Sequence, residues 1–511
     1  MPFFDFHLHP SLKAQMSMPP DFPSPWENIR IKFRHPNVIT LLLRCSGINE
    51  VVDSQSSLSQ LTRGKVNLAA IALHPPESAM MNDGLIQQIA AEEQTQYINL
   101  ARITDMGSGD IYFRLLTEEL SNLKKQLTLN GKKLKILSNI SQYKATDTDT
   151  VYAVLTIEGA HAFLGPRQQK TETEIFTTYW NNFETFTTAH RIFSINIAHL
   201  QQNDFCNHAF GIQIFKPNAF YPKGNGITQH GFRLLQKMKE KNILLDIKHM
   251  SLFARKQLYD FRIGEVAWPI VCTHAGLTGI RKTDRGKYFI ETAQESEVLR
   301  VRHYKPAGYL PGTSFNPSSI NLYDEDVFEI VASGGLIGLS LDQRILGVPE
   351  EWMMSIDNMG DIYEEEFISA GEKDWFTHVL TGTPGDSDII LTADITSTDK
   401  QDWPRFHARH FLNQVFHLFK ICDTFKYNMA EMARRICIGS DFDGMINPVD
   451  CCQNVLQLEK FKALLLENFK EWEKDFTEVT GIRVSSFITP KKLLDNIFYQ
   501  NGVDYLKEQY Q

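Results

Sequence analysis

Residues 3–9 read Phe3-Phe4-Asp5-Phe6-His7-Leu8-His9, a short apolar run closed by two imidazoles. Apolar, β-branched-rich runs of the same kind recur at 3–8, 66–73, 151–157, 192–198, 243–247, 269–273, 336–341 and 436–440. Amphipathic stretches with helical spacing lie between and after them, at 84–99, 172–190, 229–241, 252–261, 325–333, 405–426 and 455–475. Strands that are apolar throughout belong to a parallel sheet covered on both faces by helices. Eight strands alternating with helices in this way predict a closed (β/α)8 TIM barrel of the α/β class, completed by C-terminal helices, rather than an open sheet.

Two stretches exceed a minimal barrel and read as βα-loop insertions. The first, 281–318, carries Pro306, Pro311 and Pro317; the second, 345–400, is acidic and rich in turn formers such as Thr383-Pro384-Gly385-Asp386. Both follow strand C-termini, so they are expected to overhang the barrel mouth as lids or specificity loops, or else to serve as contacts in a homo-oligomer. Residues 1–511 are expected to form a single barrel domain containing both insertions.

The chemistry lies in what ends each run. Run one ends in His7 and His9, run three in Glu158-Gly159-Ala160-His161, run four in His199, run five in Lys248-His249, run six in His274, and run eight in Asp441-Phe442-Asp443. All strand C-termini of a barrel converge on one face, so residues spread over most of the chain meet there. His-x-His at a strand end puts both imidazoles on one side of the pleat, because the side-chain period of a strand is two. Two such ligands reach one metal, a carboxylate on a neighbouring strand can bridge two cations, and two further imidazoles from the following strands can complete the second, which makes His7, His9, Glu158, His249 and His274 a candidate two-metal site. Nitrogen and carboxylate donors of this kind suit two divalent ions of the zinc type better than magnesium or calcium.

Each residue also has a plainer reading. A lone histidine at a strand end is more often a satisfied core or surface group than a ligand, but six of eight runs ending in His, Glu or Asp is poorly explained that way. His74 ends run two before Pro75 and Pro76 and reads as structural; Lys248 reads as a solvent or structural contact. His407, His410 and His417 share a helix face and read as packing or supporting groups. Asp441 directly follows the last apolar run and is expected to point into the mouth, whereas Asp443, next to Gly444, is expected to accept backbone amides in a turn.

Composition narrows the class of function. Hydrophobic residues make up 42% and charged residues 22%, an ordinary globular balance with material for a large core. A net charge of −9 without Lys/Arg blocks gives no electrostatic footprint for nucleic acid or an anionic membrane, which leaves small-molecule chemistry. Seven cysteines, an odd number without a CxxC pair, form no disulfide framework. The N-terminus lacks a basic leader region, and no apolar run reaches the roughly 18–20 residues of a membrane span, so a cytoplasmic location is expected unless a leader has been removed.

In these motifs the chain resembles the renal (membrane) dipeptidase family of the metal-dependent amidohydrolase superfamily. The matching segments are Asp5-Phe-His-Leu-His9, Thr156-Ile-Glu-Gly-Ala-His161, Ile197-Ala-His-Leu-Gln-Gln-Asn203, Leu245-Asp-Ile-Lys-His-Met-Ser251, Val271-Cys-Thr-His-Ala275 and Ile438-Gly-Ser-Asp-Phe-Asp-Gly444, in the family's order. The resemblance implies a binuclear zinc peptidase acting on dipeptides, with His7, His9 and Glu158 at the first metal and Glu158, His249 and His274 at the second. It implies that His199 contacts the scissile carbonyl and that Asp441 handles protons. Two departures stand out. The family has His-x-Asp where this chain has His7-x-His9, and it places an arginine after the sixth-strand histidine to hold the substrate carboxylate, for which Arg281 and Arg285 are the candidates here. Other amidohydrolase activities, such as deacetylation or lactone opening, and a catalytically silent metal-binding barrel used for interactions are the competing readings.

Overall fold

A computed structural model describes residues 2–35, 53–95, 97–211, 217–224, 226–262, 268–348, 363–372 and 402–511. Its centre is a barrel of eight parallel strands: β1 Phe3–Leu8, β2 Val66–Leu73, β3 Thr150–Glu158, β4 Ile192–Asn196, β5 Leu244–Asp246, β6 Ile270–Ala275, β7 Ile337–Leu339 and β8 Ile436–Ile438. Each pairs in parallel with the next in chain order. The barrel closes where the amide of Asp441 donates to the carbonyl of His7 and the amide of His9 to that of Phe442, both at 2.9 Å. All eight runs identified in the sequence are strands, and every residue of these strands is buried, which accounts for their lack of alternation.

Helices at Glu172–Ala189, Gln229–Glu240, Leu252–Arg262, Asp324–Ala332, Trp403–Phe425 and Leu458–Thr480 cover the barrel, within a few residues of the expected bounds. The long stretch expected at 84–99 is shorter, Gly84–Glu92, and ends before a second helix at Leu100–Met106. A helix at Tyr112–Lys125 and a hairpin of Thr128–Leu129 with Lys132–Ile136, whose second strand pairs with the start of β3, have no counterpart among the eight periodic runs.

The two insertions meet. Strands Phe289–Glu295 and Val298–Tyr304 form a hairpin in the first, and Tyr363–Ser369 of the second adds to it antiparallel. The join is anchored by Arg285 and Glu366, both fully buried and paired, with His303 Nε2 donating to the same carboxylate at 2.8 Å. The small sheet rests on the mouth-side loops after β5 and β6, through a cluster of Leu252, Ile280, Val301, Tyr323 and Ile368. The rest of the second insertion, 349–362 and 373–401, lies outside the described residues. No helix among the described residues is long and apolar enough to cross a membrane.

Candidate metal centre

Glu158 ends β3 at the centre of the mouth and is 2% exposed. Its Oε1 stands 3.5 Å from His7 Nε2, 3.3 Å from His249 Nε2 and 3.5 Å from His274 Nε2. Its Oε2 stands 3.3 Å from His9 Nε2 and 3.7 Å from His199 Nε2. Five imidazoles, two from the end of β1, one from the end of β6 and one each from the turns after β4 and β5, thus point the same ring nitrogen at one carboxylate. His7 and His9 Nε2 lie 3.0 Å apart, and His249 and His274 Nε2 3.1 Å apart. Asp441 faces the first pair, with Oδ1 3.5 Å from His9 Nε2 and 3.9 Å from His7 Nε2.

Thr273 decides which nitrogens point inward. Its Oγ1 lies 2.9 Å from His7 Nδ1 and 3.0 Å from His274 Nδ1, and its hydroxyl hydrogen goes to Asp246 Oδ2. A hydroxyl with its only hydrogen committed must accept from both imidazoles, so both carry their hydrogen on Nδ1 and present an Nε2 lone pair to the centre. Asp5 supports the same region from below, with Oδ1 accepting from the amides of His7 (3.1 Å) and Ser440 (2.9 Å) and so tying β1 to β8 at the closure.

These donors fit a cation. Around a tetrahedral zinc with bonds of about 2.0–2.2 Å, neighbouring donor atoms lie roughly 3.3–3.5 Å apart, close to the spacings found here. Glu158 Oε1 is buried without a hydrogen-bond partner among the described residues, although three imidazoles surround it. A buried acceptor left this way is costly unless a cation or a proton satisfies it. Burial pushes the Glu158 carboxyl up, but the imidazoles of His199 and His7 outweigh it and hold the group well below the usual carboxylate range. Burial opposes charge on His9 as well, yet hydrogen bonds to Asp441 and Glu158 raise it to about 10. His249 and His274 go the other way, their pKa held low chiefly by burial and then by neighbouring imidazoles.

Two site residues adopt left-handed backbone, His249 at φ 67° and Asp441 at φ 64°. Non-glycine residues pay strain there, and such positions cluster at functional sites. The turn out of each strand, rather than strand alternation, therefore aims these two side chains. Asp443 (φ 67°) turns away: its carboxylate accepts from the amides of Gln55 (3.0 Å) and Ser56 (2.7 Å) and pairs with Lys13 at 2.6 Å.

The structure adds residues that the sequence reading set aside. His74 is not merely a structural residue: its Nδ1 donates to the carbonyl of Glu158 at 3.0 Å, and its Nε2 lies 3.3 Å from Glu77 Oε2. Glu77 also accepts from His199 Nδ1 and from the amide of Leu200 (3.1 Å), so a buried His74–Glu77–His199 chain backs the centre. The only hint in the sequence was that run two ends in histidine like the others. Lys248 is not a solvent contact; it is 2% exposed and lines the cleft above the centre. Neither Arg281 nor Arg285 reaches that cleft, since Arg281 pairs with Glu325 and Arg285 with Glu366. The helix histidines sit away from the centre, His407 with the amide of Asp450, His410 with Phe406 and Ser314, and His417 between Tyr309 and Asp324.

No family model matches the chain, and no curated protein matches it by sequence. Structural similarity extends over the whole chain to a metallo peptidase from Rhodobacter sphaeroides liganded with a phosphinate mimic of the dipeptide L-Ala-D-Ala, at 14% identity and a TM-score of 0.47, covering 100% of this chain and 99% of that one. A dipeptidase AC described as a metallo peptidase aligns with the same coverage at 14% identity and a TM-score of 0.49. A probable dipeptidase from Pseudomonas aeruginosa aligns over 89% of each chain at 12% identity and a TM-score of 0.44.

Proposed function

We propose that the chain is a metal-dependent hydrolase that cleaves an amide bond of a small, dipeptide-like substrate at a two-cation centre. The observation that carries this reading is the ring of inward-facing Nε2 atoms about the buried Glu158 carboxylate, with Asp441 beside it. His7 and His9 would hold one cation and His249 and His274 the other, with Glu158 serving both. The nitrogen-rich donor set favours zinc. When bound, such a pair lowers the pKa of a water and polarises a carbonyl.

The protein groups divide the remaining work. His199 borders the cleft with its Nδ1 hydrogen held by Glu77; carrying a hydrogen on Nε2 as well, it would donate that hydrogen to the substrate oxygen on which negative charge develops. Asp441, the more solvent-accessible carboxylate of the centre, takes the proton of the attacking water and returns it to the departing nitrogen. The motif resemblance described above supports the same assignment.

The test is elemental analysis of purified protein reconstituted with zinc, manganese or cobalt, combined with a panel of dipeptides, N-acyl amino acids and lactones. About two ions per chain and turnover of amides are expected. Bound metal with no turnover of any amide leaves the silent-barrel reading in its place.

A further inference from the structure

The cleft above the centre is bordered at its floor by His199, Lys248, His249 and Asp441. Its walls are aliphatic. Leu85, Ile86 and Ile89 of the helix Gly84–Glu92 line it with Ile31, Ile98 and Leu200.

The charged groups of the cleft are mostly committed to one another. Lys13 pairs with Asp443 at 2.6 Å and Arg344 with Asp342 at 2.6 Å. Lys248 differs: its ammonium makes one 3.4 Å hydrogen bond to the carbonyl of Ile320, and among the described residues it has no carboxylate within 4.0 Å. A buried ammonium offers three hydrogens, so most of its capacity is left for a ligand. The same pairings leave Asp441, which stands against His9, as the cleft carboxylate without a lysine or arginine partner among the described residues. The free amine of a dipeptide would find no separate anionic partner along these walls.

We propose, resting on the hydrolase reading above, that the amide cleaved joins an apolar acyl chain to an amino acid, the aliphatic walls taking the chain and Lys248 the carboxylate. Water adds to the acyl carbon, the C–N bond breaks, and the products are the carboxylic acid and the amino acid, whose nitrogen receives the proton released by the water. Lys248 acts as a substrate-binding cation.

Two measurements test this. The first is kcat/KM of the zinc-loaded protein for N-acetyl-, N-hexanoyl- and N-decanoyl-alanine, set beside dipeptides ending in alanine. The second is calorimetric binding of N-hexyl- and N-decyl-alanine, which contain no amide to cleave, to wild type, Lys248→Met and Lys248→Arg. Full burial is worth about fourfold per methylene, so at least a tenfold rise from acetyl to decanoyl is expected. Lys248→Met should weaken N-decyl-alanine binding about tenfold or more, Lys248→Arg should recover most of it, and the loss should vanish for the ligand with its carboxylate converted to an amide. Chain-length-dependent binding without turnover of any amide upholds the cleft assignment and overturns the hydrolase reading. Cleavage of small dipeptides with no gain from chain length overturns the acyl-chain assignment and leaves the hydrolase reading intact. Loss of bound metal in Lys248→Met assigns Lys248 to the metal centre instead and overturns its role here; absence of both binding and turnover overturns both readings.

Discussion

Glu77 holds His199 by its Nδ1 hydrogen. The carboxylate oxygen that takes this hydrogen also accepts from the amide of Leu200 at 3.1 Å, so the imidazole has one orientation and turns its Nε2 toward Glu158. Burial disfavours charge on Glu77, but His199 and His74 outweigh it and hold the carboxyl well below the usual range. Groups that orient an imidazole in this way are typically worth about 10–100-fold in activity or affinity. Glu77→Gln should therefore lower kcat about tenfold or more with a smaller change in KM. His199→Ala should lower turnover by about 10²-fold, the loss expected for one transition-state donor, with metal content unchanged in both variants. Metal loss in His199→Ala would make His199 a ligand and require His9 or His249 to be reassigned.

Among the described residues, Glu158 is the carboxylate that stands within 3.5 Å of the Nε2 atoms of both histidine pairs. Glu158→Gln keeps the shape and removes the charge, so occupancy of both ions should fall together. The check is elemental analysis after dialysis. Retention of one full equivalent would falsify the bridging assignment.

Asp441 and Asp443 are two residues apart and face different surroundings. Asp441→Asn should remove most turnover with metal retained or modestly weakened. Asp443→Asn leaves Lys13 without its charge partner and disturbs the bonds from Gln55 and Ser56, so it should act on stability, by about 1–3 kcal/mol in denaturant unfolding. Wild-type turnover in Asp441→Asn, on a substrate the wild type clearly cleaves, excludes Asp441 from the reaction.

Metal binding at this centre should be pH-dependent, with a definite sign. Hydrogen bonds to Asp441 and Glu158 raise His9 to about 10 against the pull of burial, so in the metal-free protein a proton competes with the cation at neutral pH. A cation displaces that proton, and lowering the pH therefore weakens binding. Competition with a chromophoric chelator between pH 8 and pH 6 should show the apparent Kd rising as pH falls, with proton release on loading at pH 7. A Kd flat across this range would mean that His9 is already neutral without metal.

The barrel was legible because strands buried on both faces have no choice of pattern: β1 through β8 are apolar runs, and chemistry-bearing residues stand where most of them end. His7, His9, Glu158, His249 and His274 could be grouped from sequence alone, since strand C-termini of a closed parallel barrel meet on one face whatever the loops do. The local geometry was less legible. His249 and Asp441 are aimed by left-handed turns, which period-two reasoning cannot supply.

Other relationships depended on which distant segments share a buried space. Glu77 lies 122 residues from His199, and no periodicity links them. Strand Tyr363–Ser369 joins the hairpin of the first insertion through backbone hydrogen bonds that leave no mark on side-chain pattern. Lys248 reads from sequence as a solvent or structural contact, and the structure buries it beside the carbonyl of Ile320. The sequence by itself determined the strands, their order and the residues at their ends, because burial of a continuous apolar run is a local property. Only the tertiary structure decided which of those residues are paired, oriented or left without a partner, because charge and hydrogen-bond satisfaction in a low-dielectric interior are set by neighbours that the chain supplies from hundreds of residues away.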